Sequence, residues 1–210
     1  MPSSSQWLAF LVASILFIQV PGPSLLFTIG RALTVGRREA LLSVLGNGLG
    51  LMAQVLCVAV GLGAVVAASA AAYSILKLVG AAYVVWLGIS AIRQRGAARL
   101  AMERSERLPE RHGRAIRTGF LVGSTNPKTI VFFVAFLPQF VAAGASRPGV
   151  PLALLGTVFG LLAICSDSIW ALAASRARDW FARKPRRLDT LGATGGVMMI
   201  GLGGVLVASE

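Results

Sequence analysis

Six apolar stretches long enough to cross a bilayer occupy most of this chain, at 7–29, 41–68, 73–92, 118–143, 150–175 and 188–208. A hydrocarbon core of roughly 30 Å takes about 20 helical residues. Lipid offers a bare backbone no hydrogen bonds, so each stretch must satisfy its own amides, and a helix does this within one segment. That constraint alone predicts an all-α integral membrane protein with six transmembrane helices. The charge content agrees: 13% of residues are charged and 56% are hydrophobic, where soluble domains carry about 25% charged residues. The segments between the stretches are short, so no soluble domain is expected.

The stretches fall into two sets of three that resemble each other. Gly46, Gly50, Leu51 and Ala53 recur at a constant offset as Gly156, Gly160, Leu161 and Ala163. Leu76, Gly80, Ala81 and Val85 recur as Leu188, Gly192, Ala193 and Val197, and the Pro21-Gly22-Pro23 break in the first stretch answers Asn126-Pro127 in the fourth. A unit with an odd number of spans enters the membrane from opposite sides in its two copies. The expected fold is therefore a pair of inverted three-helix repeats with broken first and fourth helices, an architecture of secondary transporters. The chain reads as a single transporter domain over 1–210, with repeat one at 6–93, a basic loop at 94–117 and repeat two at 118–208.

The formal net charge is +12, and its placement argues for a membrane rim rather than a nucleic-acid surface. The connections after the first, third and fifth stretches hold 17 of the 20 Lys and Arg residues; Arg147 lies on the other side, and Lys77 and Lys128 lie within stretches. The positive-inside rule then puts those connections in the cytoplasm and both termini in the periplasm of a bacterial-type inner membrane. The same rim attracts anionic headgroups of the lipid bilayer, whereas nucleic-acid binding wants a basic face on a folded domain. The N-terminus has no basic leader, its apolar run is too long for a signal peptide, and no A-x-A-like site precedes Pro21, so the first stretch is expected to be retained. Cys57 and Cys165 sit within stretches as small packing residues. Their spacing suggests no disulfide framework or metal site, and no cofactor is expected. His112 falls in the charged loop, exposed and without partners, and is given no catalytic role.

Two breaks carry the chemistry. Pro21-Gly22-Pro23 lies about 15 residues, or roughly 22 Å, into the first stretch. Two prolines around a glycine remove backbone hydrogen bonds, and the freed carbonyls need partners from protein or water. Asn126-Pro127-Lys128 interrupts the fourth stretch at similar depth. Asn126 suits an N-cap and Pro127 the first turn of a new helix at about 129–136. A second half-helix begins at Ser24. Helix N-termini attract anions, so the two ends are expected to cradle one carboxylate. Lys128 and Asp167 are the charged residues at matching depth. Intramembrane ionisable groups are functional by default, although a Lys128–Asp167 structural ion pair is the alternative. Asn47, Gln54, Ser166 and Ser168 are secondary polar candidates, each equally a helix-packing contact. Lys77 lies near the end of its stretch and can snorkel. The run from Gly46 to Gly50 is no phosphate loop, since no strand precedes it. Gly46/Gly50 and Gly156/Gly160 are GxxxG pairs that predict close helix packing and permit a homodimer.

Val20-Pro21-Gly22-Pro23 followed by Gly36-Arg37-Arg38 and Gly46, with Asn126-Pro127-Lys128 followed by Phe136-Leu137-Pro138-Gln139-Phe140, resembles the lysine exporter / homoserine–threonine exporter (LysE/RhtB-type) family. The resemblance covers nearly the whole chain. It implies an inner-membrane exporter of amino acids or close derivatives, driven by the proton-motive force. Some members carry an acidic residue in the second span, where this chain has Asn47 and Gln54. The reading is a secondary transporter, not an enzyme, that exports a small zwitterion by proton antiport. Pro21, Gly22, Pro23, Ser24, Asn126, Pro127 and Lys128 form the substrate-binding region, and Asp167 takes the substrate amine or the coupled proton. A membrane-embedded enzyme and a non-transporting structural or lipid-interacting protein are the alternatives. An enzyme would need a nucleophile–base pair or metal cluster within the spans.

Overall fold

The computed structural model describes residues 3–68, 70–93, 96, 112–141, 148–177, 180, 183–184 and 186–208. These are helical, with no strand among the described residues: α1 (Ser4–Gln19), α2 (Pro23–Thr34), α3 (Arg37–Ala68), α4 (Ala70–Arg93), α5 (His112–Ser124), α6 (Pro127–Val131), α7 (Gly149–Arg176) and α8 (Arg186–Ala208). Among the described residues, two helical segments, Arg37–Gly61 and Gly149–Arg176, are long and apolar enough to cross a membrane. Two bent pairs raise that number to four: α1 with α2, bent by 50°, and Gly113–Ser124 with Pro127–Phe140, bent by 41°. Most of the basic loop, Arg147 and the side chains of Lys77 and His112 lie outside the described residues.

The breaks fall where the prolines place them. Ser3 caps α1 through a capping box with Gln6, and the helix ends at Gln19, ahead of the Pro-Gly-Pro run. Gly22 is the N-cap of α2, with Pro23 in its first turn. Gly36 has φ +100, a conformation only glycine adopts without strain, and it turns the chain from α2 into α3. Three expectations change. The fourth stretch becomes helical at His112, not at 118, because Ala115, Gly119 and Gly123 give this charged segment one small-residue face for α3. His112 therefore begins a helix rather than lying in a loop. The half-helix expected at 129–136 is not uniform: α6 widens into a π-helical turn at Phe132–Phe136 and tightens into a 3-10 turn at Leu137–Phe140. Pro138 explains this. It has no N–H for the carbonyl four residues back, so the ladder shifts, and the Leu137 N–H reaches the Phe132 carbonyl. Gln139 Nε2 then donates to the Ala135 carbonyl at 2.9 Å.

Close packing follows the small residues. A Cβ on Gly46 or Gly50 would collide with the Ile116 or Phe120 carbonyl of α5, and one on Gly119 or Gly123 with the Ser43 or Asn47 carbonyl of α3. Two GxxxG faces thus meet back to back. Gly156 and Gly160 instead receive the Val55 and Met52 side chains of α3. Both glycine pairs singled out in the sequence are occupied within one chain, so they give no argument for a second copy. α4 pairs with α8 and α3 with α7. The main core is aromatic, built on Phe10, Phe17, Phe132, Phe133 and Phe159. Leu8, Leu16, Leu56, Val60, Leu161 and Ile169 are well exposed, so the outside is apolar too, as a lipid solvent allows.

Candidate functional site

The two breaks border one cavity. Its volume is about 30 Å3, and its walls include Gly22 and Ser24 from the first break, Asn126, Lys128 and Thr129 from the second, and Asn47 and Asp167 from α3 and α7. That is room for about two water molecules. Phe17, Leu25, Leu51, Phe159 and Ala163 complete an apolar side.

Lys128 is 5% exposed and reaches across to the first break. Its ammonium donates to the carbonyls of Phe17 and Val20, both at 2.6 Å. It also stands 4.5 Å from the centroid of the Phe17 ring, within cation–π range. Phe17 in turn packs on Phe132 with centroids 4.4 Å apart. The carbonyls freed by Pro-Gly-Pro are thus satisfied by a cation from the other half of the chain. Gly22 makes this reach feasible, since a Cβ there would lie 2.7 Å from Lys128 Cδ.

The second break has a different cap. Gln54 Nε2 donates to the carbonyls of Gly123 at 2.8 Å, Ser124 at 3.1 Å and Asn126 at 3.3 Å. Its Oε1 accepts from the Thr129 hydroxyl at 2.7 Å. Gln54 is therefore a backbone cap, and it does not line the cavity.

Asp167 is 6% exposed and accepts from Asn47 Nδ2 at 3.2 Å. Asp167 and Lys128 share the cavity, each with its own hydrogen-bond partners: Asn47 for Asp167, and the Phe17 and Val20 carbonyls for Lys128. The two half-helix N-termini also differ. Asn126 Oδ1 accepts from the Lys128 backbone N–H at 3.1 Å, so α6 is closed by its own cap, as an N-cap asparagine should do. α2 has no side-chain cap at Gly22. Of the expected pair of anion-attracting ends, that of α6 has one amide taken by its own cap, whereas that of α2 has no side-chain cap.

The structure thus brings Gly22, Ser24, Asn47, Asn126, Lys128 and Asp167 together. Pro21, Pro23 and Pro127 shape the backbone around them. Ser166 and Ser168 flank Asp167 on α7 but do not line the cavity. Thr129, Phe17 and Phe159 line it and were not singled out by sequence; only the position of Thr129, next to Asn126-Pro127-Lys128, pointed to it.

The family model described as LysE type translocator matches residues 15–210. The chain is 35% identical to an uncharacterized membrane protein of Vibrio cholerae, over 97% of each chain. It is 31% identical to a homoserine/homoserine lactone efflux protein of Salmonella typhimurium, over 97% of each. A leucine efflux protein of Klebsiella pneumoniae is 25% identical, over 80% of this chain and 79% of its own. No solved structure matches.

Proposed function

The chain belongs to the LysE type translocator family, membrane translocators rather than enzymes, and on that premise we propose that it exports a small zwitterionic amino acid in exchange for protons. The observation that carries this reading is the cavity between the two helix breaks, which both Lys128 and Asp167 line, each bonded to a different partner. Opposite charges lining one cavity suit a molecule that carries both. The substrate carboxylate lies at the open N-terminus of α2 and takes the Lys128 ammonium away from the Phe17 and Val20 carbonyls. A carboxylate accepts a charge-assisted bond more strongly than a peptide carbonyl does. Asp167 receives the substrate amine, and a proton replaces it on the return step. The names of the relatives, efflux proteins for homoserine, its lactone and leucine, support an amino-acid cargo.

The same reading has six spans, forming two inverted three-helix repeats in an inner membrane with both termini periplasmic. The pairing of α3 with α7 and of α4 with α8, each a match between corresponding segments of the two halves, supports that arrangement. Counterflow in proteoliposomes against the twenty amino acids and homoserine tests the function. Exchange of at least one is expected, and exchange of none sinks the proposal. Asp167→Asn should abolish uphill export under a proton gradient and weaken exchange by roughly tenfold or more, as loss of a charge-assisted bond to the substrate amine predicts; unchanged uphill export would reduce Asp167 to a structural neighbour of Lys128.

A further inference from the structure

Two buried oxygens at the cavity have no place in the carboxylate chemistry above. Asn47 is 4% exposed, and while its Nδ2 holds Asp167, its Oδ1 has no hydrogen-bond partner among the described residues. Ser24 Oγ is likewise buried without a partner among the described residues. Both residues line the same cavity as Asp167, and Asn47 touches Asp167. Buried polar atoms are paired in the great majority of native cases, and an orphan in a cavity wall is a place where water or a ligand supplies the partner.

We propose that Ser24, Asn47 and Asp167 form a subsite for a primary ammonium group. The proposal rests on the exporter reading and specifies which end of the cargo is read, and how. A primary ammonium has three N–H donors and no acceptor. The Asp167 carboxylate, Asn47 Oδ1 and Ser24 Oγ offer it three acceptors. Asp167 supplies the opposing charge, and the Asn47 amide, donating to one carboxylate oxygen, fixes the carboxylate orientation. Lys128 lines the same cavity, so a bare metal cation would have to share the one Asp167 charge with a fixed positive charge. A zwitterion brings its own anion to that side. A trimethylated nitrogen keeps the charge but has no N–H, and it leaves all three acceptors unpaired. The subsite therefore distinguishes amines by their hydrogens and not by their charge alone.

The test compares L-homoserine and L-leucine with their N-methyl and N,N,N-trimethyl forms as competitors in the proteoliposome exchange assay, for the native protein and for Ser24→Ala. Trimethylation should weaken competition by at least roughly tenfold, with the monomethyl form between, since a hydrogen bond to a charged group is worth about one to two decades. Ser24→Ala should weaken binding of the primary amines by about three- to tenfold and leave the trimethylated forms unaffected. It should also melt no lower than the native protein in detergent, because it removes an orphan hydroxyl and leaves the packing intact. Exchange of the amino acids with equal competition by their trimethylated forms overturns the subsite and leaves the exporter reading standing. A Ser24→Ala protein that melts lower with unchanged amine selectivity assigns Ser24 to packing and also overturns it. Absence of exchange for every amino acid removes both readings together.

Discussion

The two helix breaks have the same problem and opposite solutions. At the first, a cation from the second half of the chain, Lys128, satisfies the freed carbonyls of Phe17 and Val20. At the second, a neutral amide from the first half, Gln54, satisfies Gly123, Ser124 and Asn126. Each half thus supplies the cap for the other half's break. A neutral amide whose two N–H donors are shared among three carbonyls gains little from an entering anion. An ammonium bound to two carbonyls gains more. The second break is therefore built to stay as it is, and the first is held by a bond that a carboxylate can displace.

The strongest way to break this comparison is at Gln54. Gln54→Leu removes the two N–H donors shared by the carbonyls of Gly123, Ser124 and Asn126; Gly123 and Asn126 keep backbone donors, so the loss costs about 1–3 kcal/mol. The expected result is a melting temperature lowered by several degrees, with substrate affinity per folded molecule unchanged. A loss of affinity at native stability would mean that Gln54 acts on the substrate. Lys128→Gln should do the reverse. It removes the charge-assisted bond to the carboxylate and weakens affinity by roughly ten- to a hundredfold, at about 1.4 kcal/mol per decade. Stability should change less than in Gln54→Leu, because losing a buried charge offsets the lost carbonyl bonds. Equal stability losses in the two variants would erase the distinction between the breaks. The smallest effect belongs to Gly22→Ala, which crowds Lys128 Cδ and Met199 Cε, at 2.7 and 3.0 Å from the new Cβ. Both are parts of flexible side chains, so a few-fold loss of affinity is expected, at about 1 kcal/mol for a fivefold change, and isothermal titration checks it. If combining Gly22→Ala with Lys128→Gln adds the two losses in full, the alanine does not act through Lys128.

The sequence shows the breaks plainly and their caps hardly at all. Prolines at 21, 23 and 127 place the interruptions in apolar stretches, and α3, α7 and α8 begin and end within a few residues of the apolar boundaries, because a bilayer-length apolar run admits little but a helix. The start of α5 was hidden because Arg114 and Arg117 make that segment look like a loop, while its packing face, Ala115-Gly119-Gly123, is too small to register as hydrophobic. The π-helical turn depends on which carbonyls Pro138 deprives, a local effect without a compositional signature. Freed carbonyls at two breaks demand donors, and that demand was legible. The assignment of Lys128 to one break and Gln54 to the other was not, since each pairing joins residues about 70 to 110 positions apart. Nor does a matched motif guarantee a matched contact: Gly46 and Gly50 meet backbone, whereas Gly156 and Gly160 meet side chains.

The cavity between the breaks has room for about two water molecules, fewer heavy atoms than any amino acid carries. On the proposed site, the form described here is closed to the cargo, and binding depends on how often a roomier form is populated. Apparent affinity equals the intrinsic affinity scaled by that population, so a form open about 1% of the time weakens apparent binding about a hundredfold. One consequence runs against intuition. A substitution that loosens the end of α1 without touching the cargo makes the protein bind more tightly, because the protein spends more of its time in the form that can receive it.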